Sequence, residues 1–363
     1  MAGRGDQSPV FIIAEAGVNH NGDCDLAIEL IDQAVEAGAD AVKFQTFNAH
    51  GLVSVQAPKA AYQMVDGGPE ESQVEMLKKL ALSPEDHLRL TAHCRQRQIR
   101  FLSTPFDLNS LDFLVQQLGL GLIKLSSGAL THGPLLLATA RSGARIILST
   151  GLSALAEVEQ ALMILAHGLI RSQTDPGLEH FEAAYNSLEG QQALREKVTL
   201  LHCTTQYPAP LIDVNLRAMD TLSAAFGLTV GFSDHTAGIS VPLAAVARGA
   251  RVIEKHFTLD QSLPGPDHKA SLEPDLLSAM IWGIREVEQS LGDGIKRLTP
   301  SELENRSVVR TSLTALSDIS AGECFTEENL GVKRPGFGLS PIHYWSWLGR
   351  LARRNFAKDE AID

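Results

Sequence analysis

The chain has 363 residues, with 31 Lys plus Arg against 43 Asp plus Glu, and a formal net charge of −12. This length exceeds one small domain and suits a barrel-sized domain with an accessory piece. The acidic balance and the lack of a Lys/Arg run in the sequence argue against a nucleic-acid partner. An anionic substrate would need local lysines to offset the unfavourable overall field.

The four cysteines (Cys24, Cys94, Cys203 and Cys324) have no C-x-x-C spacing. They therefore predict neither a disulfide framework nor a zinc knuckle, and a reducing cytoplasm is the expected location. The polar start MAGRGDQSP is followed by an apolar run that is shorter than a signal sequence or a membrane span. No membrane association is expected.

Apolar runs typical of buried parallel strands alternate with amphipathic stretches along most of the chain. The predicted strands are 10–17, 41–47, 100–106, 122–127, 145–151, 198–205, 228–233 and 251–258. Helix-start signals such as Ser83-Pro84-Glu85-Asp86 lie between them. Eight β/α repeats without a G-x-G-x-x-G turn predict a (β/α)₈ TIM barrel rather than an open doubly wound sheet.

Two connections are too long to be plain loops. We expect residues 48–82 to fold over the barrel mouth and residues 171–197 to form an insertion on the helix ring. A long helix at 272–291 ends the predicted catalytic domain, which spans 1–291. A polar linker at 292–306 then leads to a small β-rich domain at 307–363, which has short β-like runs and many glycines.

Two histidines follow neighbouring predicted strands. His235 ends the run GFSDH and His256 ends VIEKH, with a crossover helix predicted at 238–249. Both imidazoles would face one mouth of the barrel, where they could hold a divalent metal with positions left for substrate and water. Each histidine alone is also compatible with a hydrogen-bonded strand end, but the pairing favours a metal site.

Polar residues collect at the predicted carboxyl ends of the strands, where TIM barrels gather their catalytic groups. Lys43 and Lys124 interrupt apolar strands, so each would be a buried ammonium group that needs an anionic partner. That partner could be Glu15 or Glu254, or else the phosphate and carboxylate of a substrate. With Glu15 available for proton transfer, these groups indicate a metal-assisted reaction on a small phosphorylated acid.

Several motifs together resemble the sialic acid synthase family over nearly the whole chain. They are IIAEAGVNHNG at 12–22, AVKFQTF at 41–47, FLSTPFD at 101–107, KLSSG at 124–128, ILSTG at 147–151, YPAP at 207–210, GFSDHT at 231–236, EKHFT at 254–258 and GPDHKASLEP at 265–274. The segment 321–338 resembles that family's C-terminal antifreeze-like (SAF) domain. The resemblance implies condensation of phosphoenolpyruvate with an N-acetylated hexosamine.

The resemblance also implies roles for individual residues. The expected catalytic residues are Glu15, Lys43, Lys124, His235 and His256, with the two histidines binding Mn²⁺, or Mg²⁺ or Co²⁺ in its place. Phosphoenolpyruvate would contact Lys43, Thr104, Lys124, Ser127, Ser149 and Ser233. The sugar would contact Gln45, Tyr207, Asp267 and, from the SAF domain of the second subunit of a domain-swapped homodimer, Arg334.

Two positions depart from the family pattern. Ala129 replaces an acidic residue expected to contact the sugar or a metal-bound water, and Thr205 replaces an asparagine at the end of the sixth strand. The main expectation is an N-acetylneuraminate synthase acting on N-acetylmannosamine. The alternative is a legionaminate synthase using a 2,4-diacetamido-trideoxy sugar, for which Ala129 could make room.

Other functions are less compatible with the motifs. The GPDHKASLEP segment favours a neuraminate or legionaminate enzyme over a pseudaminate synthase. A catalytically silent sugar-binding barrel would not need metal-site histidines beside anion-binding lysines. A Schiff-base aldolase acting through Lys43 or Lys124 stays open, and borohydride trapping with pyruvate would test for it.

Overall fold

The computed structural model describes residues 8–54 and 72–363. It divides into two compact units, residues 1–292 and 293–363. The predicted covering segment, 48–82, is therefore described only in part, and residues 55–71 lie outside the described residues.

The first unit is the predicted TIM-like barrel, which confirms the fold class. In its described residues the strands are Phe11–Gly17 (β1), Ala41–Thr46 (β2), Arg100–Pro105 (β3), Leu122–Leu125 (β4), Arg145–Ser149 (β5), Val198–Cys203 (β6), Thr229–Asp234 (β7) and Val252–His256 (β8). All are parallel to their neighbours, in the order β3-β2-β1-β8-β7-β6-β5-β4. The first strand therefore pairs with the last, and the carboxyl ends of all eight strands lie at one face.

Helices follow the strands, and most of them lie around the outside of the barrel. They are Cys24–Glu36 (α1), Ala49–Leu52 (α2), Gln73–Leu80 (α3), Pro84–Arg97 (α4), Leu108–Asp112 (α5), Gly133–Arg141 (α6), Leu155–Leu169 (α7), Leu178–Asn186 (α8), Leu188–Lys197 (α9), Ala218–Phe226 (α10), Ser240–Ala247 (α11) and Pro274–Leu291 (α12). The predicted start of α4 is confirmed, since Ser83 and Asp86 form a reciprocal capping box. Helices α8 and α9 lie within the predicted insertion.

Two apolar layers hold the barrel together. The larger layer packs the outer faces of the strands against the helices, for example Ile12, Leu30 and Leu148, which are fully buried. A smaller cluster fills the barrel interior with Ile13, Leu102 and their neighbours. Each fully buried aliphatic side chain stabilises the fold by about 1.5–3 kcal/mol relative to exposure. This interior cluster closes the barrel beneath the carboxyl ends of the strands, so a cavity at those ends does not continue through the barrel.

A third apolar cluster lies at the carboxyl face of the barrel. It joins Val18 and Phe47, which follow β1 and β2, to Met76, Leu77 and Leu80 of α3. The described parts of the segment after β2 thus lie over the mouth, as the sequence predicts. Ser72 and Glu75 form a capping box at the start of α3.

The second unit begins with a helix, Pro300–Val309 (α13). This helix overlaps the linker predicted at 292–306. Strands Ser312–Ala315 (β9) and Leu330–Lys333 (β10) pair antiparallel, and a short helix, Tyr344–Trp347 (α14), follows. A small apolar core of its own includes Leu313, Phe325 and Phe356. Across the described residues of both units, no helix is long and apolar enough to cross a membrane.

Candidate active site

The carboxyl ends of the barrel strands surround a cavity of about 350 Å³. The barrel residues predicted for the site all line it: Glu15, Lys43, Gln45, Thr104, Lys124, Ser127, Ser149, Tyr207, Ser233, His235, His256 and Asp267. They come from the ends of β1 to β8 and the segments that follow these strands. The barrel therefore brings together residues that are up to 252 positions apart in the chain.

Two lysines and two glutamates form a buried charge network at the base of the cavity. Lys43 Nζ is 2.7 Å from Glu15 Oε2 and 3.6 Å from Glu254 Oε2. Lys124 Nζ is 3.4 Å from Glu254 Oε1. Lys43 Nζ also donates to Thr104 Oγ1 at 3.1 Å. Both of the carboxylate partners considered from the sequence are thus present, and both lysines also line the cavity.

The two carboxyl groups differ in their affinity for protons. Burial and the charge of Glu254 raise the pKa of Glu15 to about 7, although Lys43 lowers it. Burial also raises the pKa of Glu254, but Lys124 and Lys43 outweigh it and hold that pKa at about 2. Glu254 is therefore the fixed negative charge, and Glu15 is the group that can exchange a proton near neutral pH.

The histidine pair lies on one side of the same cavity. The ring centroids of His235 and His256 are 5.6 Å apart. Because the Thr204 carbonyl oxygen can only accept, the 2.7 Å contact means that His235 Nδ1 carries a proton and leaves Nε2 with a lone pair. Burial lowers the pKa of both histidines, so the rings are neutral at pH 7.

These histidines fit a two-ligand site for a divalent cation. Neutral imidazole is the metal-binding form, and the buried Nδ1 atom of His256 has no hydrogen-bond partner in the structure. Asp267 Oδ2 lies 3.9 Å from that atom, and burial raises the pKa of Asp267 to about 6. In the described part of the chain, no cluster of three or more His, Cys, Asp or Glu ligands is present. Among these described residues, the two imidazoles would leave the other coordination positions to water or substrate.

Hydroxyl groups on the side of β4 to β7 complete the polar surface. Ser149 Oγ is buried with no hydrogen-bond partner in the structure. Ser233 Oγ donates to Glu254 Oε1 at 2.8 Å. Ser127 Oγ accepts from the Gly151 N–H at 3.0 Å. A buried hydroxyl without a partner is uncommon in folded proteins and is consistent with a polar ligand in this cavity.

Comparison with known proteins identifies the family. Residues 30–296 match the model of the NeuB family, and residues 310–363 match that of the SAF domain. The chain belongs to the NeuB family. This confirms the resemblance noted in the sequence, and the barrel with a C-terminal SAF domain is the architecture that the resemblance implies.

Relatives with high identity to this chain include synthases of nonulosonic acids. The chain is 48% identical to an N,N'-diacetyllegionaminic acid synthase of Campylobacter jejuni, over 97% of this chain and 98% of that protein. It is 45% identical to the synthase of the same name from Legionella pneumophila, over 98% and 93% of the two chains. The crystal structure of an N-acetylneuraminic acid synthetase from Leptospira borgpetersenii matches with a TM-score of 0.66 and 34% identity, over 84% of this chain and 94% of that one. This NeuB protein is therefore an enzyme of the nonulosonic acid synthase kind.

Sequence reasoning did not identify some residues of this NeuB site. Glu254 was considered only as an ion-pair partner, although it contacts both lysines and Ser233. The cavity wall also includes Phe47, Met76 and Leu77, which were not singled out. The position of Glu254 could have been inferred from His256, because residues two apart on a strand face the same side.

The two departures from the family pattern have different positions. Thr205 lines the cavity, and its Oγ1 atom is buried without a hydrogen-bond partner in the structure. Ala129, by contrast, is 6% exposed and packs in the apolar layer between strands and helices. The expectation that Ala129 makes room for a sugar substituent therefore has no support from its position.

Arg334 belongs to the second unit, directly after β10. It precedes Pro335 in a loop that also contains Gly336, Phe337 and Gly338. Its role as a residue of a partner subunit's site stays a prediction.

Proposed function

We propose that this NeuB protein is an N,N'-diacetyllegionaminate synthase, which condenses phosphoenolpyruvate with 2,4-diacetamido-2,4,6-trideoxymannose and releases phosphate. The observation that carries the choice of sugar is the near-full-length similarity to two synthases of this acid. It favours the alternative considered in the sequence over N-acetylmannosamine.

The chemistry of the cavity wall supports the same sugar. The diacetamido sugar differs from N-acetylmannosamine at two positions. At C6 it has a methyl group in place of the hydroxymethyl group, and at C4 it has an acetamido group in place of the hydroxyl. Phe47, Met76, Leu77 and Leu80 give the cavity an apolar side that would favour these methyl groups.

Phosphoenolpyruvate would bind at the charged base of the cavity. Lys124, with the hydroxyls of Ser127, Ser149 and Ser233, suits its phosphate. Lys43 and Thr104, which are hydrogen-bonded to each other, suit its carboxylate. This arrangement would give the buried ammonium groups and the unpartnered Ser149 hydroxyl an anionic ligand.

A divalent cation, with Mn²⁺ as the first candidate and Mg²⁺ or Co²⁺ as alternatives, would bind His235 and His256 and supply Lewis-acid polarisation of the open-chain sugar aldehyde. Gln45, Tyr207 and Asp267 would orient the sugar so that its aldehyde faces the methylene carbon of phosphoenolpyruvate.

The methylene carbon C3 of phosphoenolpyruvate attacks the aldehyde carbon and forms the new C–C bond. Water adds to C2, where positive charge develops, and the Glu15 carboxylate accepts the proton that this water loses. The former aldehyde oxygen takes up a proton from solvent and becomes a hydroxyl group. The tetrahedral intermediate collapses to the C2 ketone as the C2–O bond to phosphate breaks, and the proton of the C2 hydroxyl passes to the departing phosphate. Lys124 and the serine hydroxyls neutralise the departing phosphate.

We also propose that the active unit is a domain-swapped homodimer in which Arg334 of the partner subunit contacts an N-acetyl group of the sugar. Mixing an Arg334→Ala chain with a Lys43→Ala chain should then restore part of the activity, because one composite site is intact. No restoration of activity in the mixture would contradict the domain swap.

The four free cysteines fit the reducing cytoplasm expected from the sequence.

Phosphate release from phosphoenolpyruvate with Mn²⁺ tests the function directly. The diacetamido sugar should give the higher kcat/KM, with N-acetylmannosamine as the comparison and Lys43→Ala as the inactive control. A preference for N-acetylmannosamine would make the protein a neuraminate synthase. If neither sugar supports release, the synthase function is wrong, and borohydride trapping with pyruvate would then test the Schiff-base alternative.

A further inference from the structure

A buried ion pair lies beside the two histidines and takes no part in the chemistry described above. Lys255 Nζ is 2.7 Å from Asp234 Oδ2, and both side chains are 0% exposed. Each residue immediately precedes one of the histidines in the sequence. A buried ion pair is rarely more stabilising than well-packed apolar residues, so stability alone does not explain its presence here.

The strands place this pair behind the cavity wall. Asp234 and Lys255 are direct partners in the parallel ladder between β7 and β8. Successive side chains of a strand point to opposite faces, and His235 and His256 line the cavity. The ion pair therefore joins β7 to β8 on the outer face, one residue before the two histidines.

The same pair also fixes the turn after His235. Asp234 Oδ1 accepts from the Thr236 N–H at 2.9 Å, and Lys255 Nζ donates to the Thr236 carbonyl oxygen. His235 thus lies between a member of the ion pair, Asp234, and Thr236, which is hydrogen-bonded to both members. Its neighbours in the chain cannot move relative to β8 without breaking one of these contacts.

We propose that the Asp234–Lys255 ion pair is a positioning device that sets the separation of His235 and His256 for a divalent cation. This inference rests on the metal site of the proposed function. Metal ligands must reach the ion within about 0.2 Å of their preferred distances. A shift of β7 against β8 would change the 5.6 Å ring separation and hence the fit to the ion.

The double substitution Asp234→Asn/Lys255→Met tests this role in the full-length chain. It removes both charges together, so neither is left buried and unpaired, and the amide oxygen of the introduced asparagine can still accept from the Thr236 N–H. Binding of Mn²⁺ is measured by electron paramagnetic resonance, without substrates. Loss of a group that orients metal ligands typically weakens binding about 10–100-fold, and we expect a loss in this range.

Two further measurements separate positioning from general stability. The absorption spectrum of the Co²⁺-loaded variant should differ from that of wild type, and at saturating Mn²⁺ the KM for phosphoenolpyruvate should be unchanged. The control is Asp40→Asn/Arg285→Met, which removes the 2.8 Å ion pair between these residues together with the 2.9 Å pair between Arg285 and Glu288. Asp40 lies before the start of β2, at the opposite end of the barrel, so this variant should have a lower Tm and unchanged Mn²⁺ affinity.

The outcomes for the metal site and for the ion pair are distinct. If wild type itself binds no Mn²⁺, the proposed metal site is wrong. If wild type binds Mn²⁺ and the folded double variant binds it equally well with the same Co²⁺ spectrum, the positioning role is wrong. Should the double variant fail to fold, Asp234→Asn alone must still weaken Mn²⁺ binding, and unchanged affinity in this variant would also overturn the inference.

Discussion

Removal of the Glu254 charge should change stability and substrate affinity in opposite directions. Glu254 holds the only carboxylate within 4 Å of Lys124 among the described residues, whereas Lys43 keeps Glu15 as a second partner. In Glu254→Gln, Lys124 would retain the Leu125 carbonyl oxygen at 3.2 Å but no countercharge of its own. We expect this buried ammonium group to dominate the effect.

The contact distances give the magnitude. At 3.4 Å and an effective dielectric constant of about 20, the attraction between Glu254 and Lys124 is about 5 kcal/mol. The measured cost of removing one partner of a buried ion pair is about 3–5 kcal/mol. It does not exceed the attraction, because burial of the carboxylate also costs hydration energy that the variant no longer loses. Because Lys43 keeps its partner, we expect about 3 kcal/mol. This corresponds to a fall in Tm of roughly 6–12 °C for a unit of this size.

Binding of phosphoenolpyruvate should become tighter in the same variant. Glu254 repels an anion placed on the two lysines, and glutamine keeps its shape and can still accept from Ser233. We expect Kd to fall by at least about tenfold, or about 1.4 kcal/mol. Phosphoenolpyruvate should therefore raise the Tm of the variant more than that of wild type.

Thermal unfolding with and without phosphoenolpyruvate, together with calorimetric titration, measures both effects. Glu288→Gln is the matched control, because Glu288 pairs with Arg285 outside the cavity. It should lower the Tm without changing the Kd. A Glu254→Gln protein that is as stable as wild type, or that binds phosphoenolpyruvate more weakly, would refute the reasoning and make Glu254 an organiser of the lysines rather than an opposing charge.

Three further predictions concern other parts of the cavity. Lys124→Ala should raise the KM for phosphoenolpyruvate at least about tenfold while changing that for the sugar little, and steady-state kinetics showing the reverse order would contradict its phosphate role. The Glu15 pKa of about 7 predicts that kcat/KM rises as pH increases through 7, because only the ionised carboxylate accepts a proton. Glu15→Gln should lose this rise. If the pH profile of the variant still shows the rise, it belongs to another group. A Cβ atom on Gly151 would lie 2.4 Å from Thr205 Oγ1 and 2.8 Å from Ser127 Oγ. Gly151→Ala should therefore displace the Ser127 hydroxyl and weaken phosphoenolpyruvate binding in calorimetry, and an unchanged Kd would exclude Ser127 from the phosphate site.

The sequence predicted the barrel well because its signals are local and repeated. Each strand is an apolar run that ends in polar residues, as Val252–His256 shows, and parallel strands place these ends on one face. This rule placed Glu15, Lys43, Lys124 and the two histidines at one mouth without any distance, whereas Asp267, which lies beyond the end of β8, was expected only from the family resemblance. What it could not give was the pairing of charges, since Glu254 on β8 lies between two lysines that come from β2 and β4.

Other differences have equally specific causes. Ala129 lies two residues after Ser127 in a 3₁₀ turn, Ser127–Ala129, where three residues complete a turn and the two side chains diverge by about 120°. Spacing in the sequence placed both near the sugar, but the turn directs Ala129 into the apolar layer. Helix α13 was not predicted from the sequence for another reason. It has no buried residue and lacks the apolar periodicity that indicates a helix.

The buried lysines lie within a molecule whose formal net charge is −12. Long-range repulsion acts on an approaching trianion, whereas attraction by the lysines acts only inside the cavity. Salt screens charges more than about 10 Å apart at about 0.1 M ionic strength but screens buried contacts far less. Moderate salt should therefore speed the association of phosphoenolpyruvate, the opposite of its effect on a protein that steers anions with a positive surface.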